Sequence, residues 1–84
     1  MVYYLILCRS LTYAQKTSRI LEQAGIRNHI VRTPKRISAE GCGYCIKVSE
    51  RTLTSALVQL KQNNLPPKQI YIHYEDDTYD EVEP

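Results

Sequence analysis

The sequence predicts an α+β fold, a ferredoxin-like βαββαβ sandwich with a four-stranded sheet and two helices on one sheet face. Four short segments are rich in β-branched and aromatic residues, and two others have the i, i+3, i+4 apolar spacing of helices. The 84 residues, 43% of them hydrophobic, have the size and composition of one small globular domain. We therefore expect a single α/β sandwich domain over residues 1–75 and an acidic, flexible tail over 76–84.

The first half of the chain predicts a strand, a capped helix and a second strand. Val2–Cys8 is apolar on both faces, as is typical of a central strand. Ser10 can cap a helix of about four turns that ends at Gly25, a residue suited to a helix C-terminus. Asn28–Thr33 alternates enough to form the second strand, which ends at Pro34.

The second half repeats the pattern after a loop of about eight to ten residues. Tyr44 begins a third strand, Ser49 is expected to cap a second helix that ends near Asn63–Asn64, and Gln69–Tyr74 predicts the fourth strand. The sheet face without helices should be open, so that a homodimer or a partner could dock there. We expect it to carry Tyr4 or its neighbour, Cys45, Lys47, Tyr71 and His73.

Charge is distributed unevenly along the chain. The net charge is +2, but residues 1–74 hold all 11 Lys and Arg and only three of the nine carboxylates. The basic body could attract phosphates, another anion or an acidic partner surface, and the acidic tail could compete for it. No apolar run approaches the roughly 20 residues of a membrane helix, and no signal-peptide pattern is present. We therefore expect a cytoplasmic protein without membrane contact.

The tripeptide Gly41-Cys42-Gly43 is the most informative candidate site. A thiol between two residues without side chains is sterically open, although the glycines could instead serve a tight turn around a small buried Cys42. Three cations in or beside the same loop could lower the pKa of the thiol or attract an anionic sulfur or selenium species, or could simply be solvated. They are Arg32, Lys35 and Arg36.

The three cysteines allow two further arrangements, a Cys8–Cys42 bridge and a Cys42–Cys45 pair. We expect β1 and β3 to run parallel, which would put both helix N-termini and Cys8 at the sheet end opposite Cys42 and argues against a Cys8–Cys42 bridge. Cys42 and Cys45 have C-x-x-C spacing, but in extended backbone their side chains point to opposite faces about 10 Å apart. A turn at Gly43 would be needed for a redox pair, and no ligand spacing completes a zinc site.

Other chemistries have weaker support. His29 and His73 show no pattern of a nucleophile with its base, and the chain has no phosphate-binding loop or dinucleotide fingerprint. The strand tyrosines do not form an RNA-binding aromatic motif, so nucleic-acid binding is disfavoured. We expect no metal and no cofactor.

Several segments together resemble the Se/S carrier protein-like family. They are Tyr4–Leu7, Ser10–Ala14, Leu21–Ile26, Val31–Pro34 and Ser38–Tyr44, within about residues 3 to 60. The most specific piece is Ser-Ala-x-Gly-Cys-Gly-Tyr following Val-Arg-Thr-Pro.

The resemblance implies a carrier rather than a turnover enzyme. Such a carrier would hold sulfur or selenium on Cys42 as a persulfide or selenosulfide, between a donor enzyme and an acceptor protein. The family position that matches Cys45 is commonly small or apolar, which argues against a shared dithiol mechanism. Supporting residues would be Gly41, Gly43, Tyr44, Cys45, Arg32, Lys35 and Arg36. The alternatives are a non-catalytic interaction domain that uses the open sheet face and a thiol-disulfide protein that uses Cys42 and Cys45.

Overall fold

The computed structural model describes residues 2–37 and 43–82. Neighbouring strands are all antiparallel, in the order β2-β3-β1-β4-β5. The α+β class and the two helices are confirmed, but the predicted four-stranded sheet is wrong, because the sheet has five strands. The elements are β1 (Tyr3–Cys8), α1 (Leu11–Gln23), β2 (His29–Arg32), β3 (Tyr44–Ser49), a 3-10 turn (Glu50–Thr52), α2 (Leu53–Gln62), β4 (Ile70–His73) and β5 (Tyr79–Val82).

The fifth strand comes from the acidic segment that follows β4. β5 pairs with β4 as a hairpin in which Tyr79 lies opposite His73. The turn is closed by a hydrogen bond from the Tyr74 N–H to the Thr78 carbonyl (2.9 Å). Thr78 also donates its hydroxyl (2.6 Å) and its N–H to the carboxylate of Asp76, which lowers the pKa of that carboxyl. Part of the segment expected as a tail is thus an edge strand with its own turn.

Both ends of α1 lie where the sequence predicts them. The side chain of Ser10 accepts a hydrogen bond from the N–H of Tyr13 (3.2 Å), which satisfies one of the free donors of the first turn. At the other end Gly25 has a φ of +77°, and the Ile26 N–H donates to the Leu21 carbonyl (2.9 Å). This is a Schellman motif, whose left-handed residue is usually glycine.

The second helix differs from the prediction at its start. Ser49 makes no side-chain capping hydrogen bond, because a 3-10 turn precedes α2 and the Ser49 hydroxyl lies 3.3 Å from that of Thr52. The end of α2 repeats the Schellman motif with Asn64 at a φ of +60°, where the Leu65 N–H donates to the Leu60 carbonyl (2.8 Å).

These two left-handed residues should respond to substitution with opposite signs. Gly25→Ala is expected to lower the free energy of unfolding by about 1–2 kcal/mol, because alanine must take up a left-handed conformation. Asn64→Gly should raise it by up to about 1 kcal/mol, since glycine adopts the same conformation without steric cost. Urea denaturation followed by circular dichroism would measure both. Shifts of the same sign would contradict this interpretation.

One face of the sheet packs against both helices. Alternate strand residues point to this face and form a single buried cluster with small and branched residues of α1 and α2. Burying each large aliphatic side chain contributes about 1.5–3 kcal/mol. The cluster includes Ile6, Cys8, Ile46, Val48 and Ile70 from the strands and Ala14, Leu21, Ala56 and Leu60 from the helices.

The opposite face of the sheet, here called the second face, is only partly open. Of the residues expected there, Cys45, Lys47, Tyr71 and His73 lie on it with Tyr3, whereas Tyr4 packs against the cluster on the helix face. Leu5 and Cys45 on the second face are 2% and 0% exposed. Arg36 and Ile37, which follow β2, line a pocket with Tyr71 and Tyr79, so this segment lies over the second face. The residues that the register places on this face include Tyr3, Cys45, Lys47, Tyr71 and His73.

Candidate functional site

The candidate site lies at the end of the sheet where β1 finishes and β3 begins, here called the Gly43 end. Cys8, the last residue of β1, pairs with Tyr44, the first residue of β3. The N–H of Thr33, just after β2, donates to the Gly43 carbonyl (3.1 Å). Gly41 and Cys42 themselves lie outside the described residues, but Cys42 is covalently joined to Gly43.

The direction of β3 corrects the expected arrangement of the cysteines. β1 and β3 are antiparallel, not parallel as expected. β3 lies between β1 and β2 and runs in the opposite direction to both. Cys8 therefore lies at the Gly43 end, and its predicted place at the opposite end of the sheet is wrong. The N-terminus of α1, capped by Ser10, follows β1 at this same end, whereas α2 begins after the far end of β3. The expectation that no helix begins near the site is thus wrong for α1.

The backbone conformation and the described surroundings of residue 43 do not require a glycine. A Cβ added to it would meet no atom of the described structure within 4 Å, and its φ is outside the left-handed region. The space beside Gly43 therefore fits the prediction of a sterically open segment better than that of a turn that only glycine can form.

Gly43→Ala is accordingly expected to leave the protein folded. The free energy of unfolding should be unchanged or raised by up to about 1 kcal/mol, because alanine restricts the unfolded chain without a clash in the folded one. Thermal unfolding would measure it, with Gly25→Ala as the control in which the same exchange is costly. A loss above about 1 kcal/mol would show that Gly43 is held by contacts that this geometry does not contain.

Of the three predicted cations, Arg32 lies beside a site residue. It pairs with Tyr44 across β2 and β3, and its guanidinium carbon is 5.5 Å from the centroid of the Tyr44 ring. This is the distance of a cation–π contact. Because Tyr44 directly follows Gly43, this contact places the positive charge of Arg32 close to the Gly43 end.

Arg36 and Lys35 are placed differently. Arg36 donates from Nη1 to the backbone carbonyl of Asp77 (3.0 Å), so its side chain reaches the turn of the β4–β5 hairpin. Lys35 is exposed in a turn closed by a hydrogen bond from the Ile37 N–H to the Pro34 carbonyl (3.1 Å). Of the predicted cations, Arg32 therefore lies at the Gly43 end, whereas Arg36 reaches the acidic β4–β5 hairpin.

Cys45 and Cys8 are both buried, and they lie on opposite faces of the sheet. Cys45 pairs with Leu7 and Val31 on the second face. Cys8 is 2% exposed on the helix face, and its Sγ lies 3.7 Å from the Ile6 carbonyl oxygen. Neither thiol presents surface that an attacking group of another protein could reach, and reactivity of a thiol requires such access.

The β4–β5 hairpin contains a polar cluster that the sequence analysis did not identify. The ring of His73 stacks on that of Tyr79 at 4.5 Å, and its Nε2 lies 2.7 Å from Oδ1 of Asp77. Burial, and then the negative charge of Asp77, raise the pKa of Tyr79. A turn signal in Asp76-Asp77-Thr78, followed at once by Tyr79, was available in the sequence.

Within residues 2–37 and 43–82, no three His, Cys, Asp or Glu side chains converge in a way that could hold a metal ion. Across the same ranges, neither helix has the length and apolar character needed to cross a membrane.

The chain matches a known protein family. The family model described as Putative Se/S carrier protein-like matches residues 3–72, from the start of β1 into β4. No curated protein and no solved structure matches the chain. The matched segment contains Gly41, Cys42 and Gly43 and leaves out β5. Since it spans most of the 84 residues, the chain belongs to the Se/S carrier protein-like family.

Proposed function

We propose that this protein carries sulfur or selenium on Cys42, as a persulfide or selenosulfide, from a donor enzyme to an acceptor protein. Membership of the Se/S carrier protein-like family is the observation that carries the proposal. Of the three cysteines, Cys42 is the one in the glycine-flanked segment, whereas Cys8 and Cys45 are buried strand residues.

The transfer is a thiol exchange without net oxidation or reduction. The Cys42 thiolate attacks the outer sulfur of a persulfide on the donor, a new bond forms between Cys42 Sγ and that sulfur, and the donor cysteine leaves as a thiolate. Delivery repeats the step, with an acceptor thiolate attacking the outer atom and Cys42 as the leaving thiolate. A selenium atom in the outer position follows the same exchange. The protein supplies a thiolate, access to it and positive charge nearby.

The charge and geometry at the Gly43 end support this role. A thiolate and a persulfide anion are both favoured by nearby cations and by a helix N-terminus. Arg32 and the N-terminus of α1 are both at this end of the sheet. A Cβ added to Gly43 would meet no described atom within 4 Å, so the described residues do not obstruct this side of the segment.

A loading assay tests the proposal. The reduced protein is incubated with a cysteine desulfurase and cysteine, and its intact mass is measured before and after addition of a reductant. We expect a gain of one sulfur atom per chain that the reductant removes. The same incubation without desulfurase is the control. No gain with an active desulfurase would contradict the carrier function.

A second candidate is docking of an acidic partner on the second face, at the end of the sheet opposite Gly43. A groove of about 600 Å³ there is lined by several basic side chains and no carboxylate, and Lys47 Nζ lies 4.2 Å from the centroid of Tyr3. Such a surface attracts anionic partners at low salt. The lining residues are Tyr3, Arg27, His29, Lys47, Ser49 and Arg51.

The two candidates separate in one comparison. If the protein acts only by docking, Cys42→Ala should leave its function unchanged, whereas Arg27→Ala should weaken partner binding more than the same change at Arg19, an exposed residue of α1 outside the groove. A Cys42→Ala variant without function would instead favour the carrier.

A further inference from the structure

Two surfaces of the protein carry strong charge of opposite sign. One is the basic groove already described, which Arg27, Lys47 and Arg51 line without a carboxylate. The other is the β4–β5 hairpin, whose second half, residues 75–82, contains five carboxylates and no lysine or arginine. Surfaces of opposite charge steer two molecules together and fix how they are oriented.

The negative charge of the hairpin is only partly balanced within the chain. Arg36 donates to the backbone carbonyl of Asp77 (3.0 Å), and the ring of His73 lies against the Asp77 carboxylate. Glu81, which pairs with Tyr71 and so points to the second face, is exposed. Five carboxylates near one arginine leave the hairpin negative, and it therefore matches the charge of the groove.

The groove and the hairpin lie at the same end of the strands, on opposite sides of the central strand β1. The strand order is β2-β3-β1-β4-β5, and the groove is formed by residues of β2 and β3 and their flanks together with Tyr3 of β1. Tyr3 pairs with Ser49, in the groove, and with His73, the last residue of β4 before the hairpin turn. Both charged surfaces are therefore at the end of the sheet opposite Gly43.

The pairing register gives the separation of the two surfaces. One row of the second face crosses the whole sheet, through His29, Lys47, Leu5, Tyr71 and Glu81. His29 and Glu81 are each two strands from Leu5, or about 19 Å from each other at the ordinary strand spacing. Groups this far apart cannot pair within one chain, so a partner for each surface has to come from another molecule.

We propose that two copies of this chain form a two-fold symmetric dimer in which the groove of each receives the β4–β5 hairpin of the other. A two-fold axis parallel to β1, over the second face, exchanges the two sides of the sheet and leaves its ends in place. It therefore sets the groove of one chain opposite the hairpin of its partner, twice, as a closed isologous contact requires. This names the acidic partner of the groove and so rests on the second candidate function above.

The dimer is held by charge more than by apolar burial. Leu5 and Cys45, at the centre of the second face, are already 2% and 0% exposed in the single chain. The contact should therefore be salt-sensitive, because exposed charges are screened by ions. The same axis puts both Gly43 ends at the other end of the dimer, so that dimerisation should leave the sulfur load of Cys42 unchanged.

Sedimentation equilibrium of the full chain over a range of concentrations tests the proposal. We expect a monomer–dimer equilibrium whose dissociation constant rises at least about tenfold between about 0.05 M and 0.5 M NaCl. A mass of one chain at about 1 mM protein in the lower salt would overturn the dimer. Species that grow beyond two chains would overturn the two-fold arrangement, since a head-to-tail contact does not close in this way.

Charge-swapped variants test whether the two surfaces meet. The groove variant carries Arg27→Glu and Arg51→Glu, and the hairpin variant carries Glu75→Lys, Asp80→Lys and Glu81→Lys, all at exposed positions. Each variant alone should be monomeric, because like charges then face each other in both contacts. An equimolar mixture should dimerise, because the groove and hairpin charges are again opposite in both contacts. A mixture that stays monomeric would contradict the pairing of groove with hairpin.

A matched control changes the same charge elsewhere. Lys16→Glu with Arg19→Glu, both exposed on α1 and outside the groove, should dimerise like the parent. Equal loss of dimer in this variant and in the groove variant would overturn the assigned surface. If the parent is monomeric but Arg27→Ala still weakens binding of an acidic partner, the groove keeps its docking function and the dimer is wrong. The desulfurase assay on Cys42 is a separate measurement that neither result changes.

Discussion

Cys42→Ser is expected to lose the whole sulfur load in the desulfurase assay, whereas Cys8→Ala and Cys45→Ala should each keep it. Serine cannot form the sulfur–sulfur bond, and Cys42, in the glycine-flanked segment, is the cysteine to which we assign the cargo. Cys8 and Cys45 are 2% and 0% exposed in strands, so a donor cysteine does not reach them in the folded protein. The load of each variant is measured as the reductant-sensitive gain in intact mass.

Alanine is the appropriate replacement at the two buried positions. A serine hydroxyl at Cys45 would be fully desolvated on the second face, at a cost of about 1–3 kcal/mol if it remains unpaired. Alanine adds no polar group, and circular dichroism of each variant confirms that it is folded. A folded Cys8→Ala variant without load would move the site to Cys8, which is at the same end of the sheet as Gly43. A Cys42→Ser variant that keeps its load would contradict the carrier mechanism.

The local elements of this fold could be predicted because their signals are local. The hydroxyl of Ser10 and the missing side chain of Gly25 determine where α1 begins and ends, whatever the helix packs against. The buried face of β3 could likewise be predicted from alternation alone, since Ile46 and Val48 are two residues apart in extended backbone.

The errors arise where contacts between distant segments decide the structure. Tyr79–Val82 contains two acidic residues and is apolar only at its ends, so its strand conformation depends on pairing with β4 and on the His73–Tyr79 stack. The burial of Leu5 likewise could not be predicted from β1 alone, because it depends on which other segments cover the second face, where Arg36 and Ile37 line a pocket with Tyr71 and Tyr79.

The predicted site is affected unequally by these errors. The residue types at Arg32, Gly43 and Tyr44 were sufficient to select them, and the sheet brings them together. The position of Cys8 depended on the direction of β3, which is set by its pairing between two other strands. The position of the Arg36 side chain could not be predicted without β5, because its guanidinium donates to the carbonyl of Asp77 in the β4–β5 turn.

Ile46→Ala is expected to cause the largest loss of stability among the changes considered, about 2–5 kcal/mol in the free energy of unfolding. Ile46 is 0% exposed and pairs with Ile6 and Ile30, so it lies on an interior strand and its side chain belongs to the buried cluster between the sheet and the helices. Truncation removes its contacts and leaves a cavity that surrounding strands cannot fill. For a chain of 84 residues this loss is a large fraction of an expected total of about 4–13 kcal/mol.

A graded series distinguishes a packing effect from a general loss of hydrophobicity. Ile46→Val, which removes one methyl group, should cost about 0.5–1.5 kcal/mol, and Val58→Ala on the exposed side of α2, where Val58 is 46% exposed, should change stability by no more than about 0.5 kcal/mol. Urea denaturation of the three variants gives the order directly. A cost for Ile46→Ala no larger than that for Val58→Ala would mean that the core is not built around β3. Because β3 begins at Tyr44, directly after Gly43, the same measurement shows how strongly the scaffold of the candidate site is held.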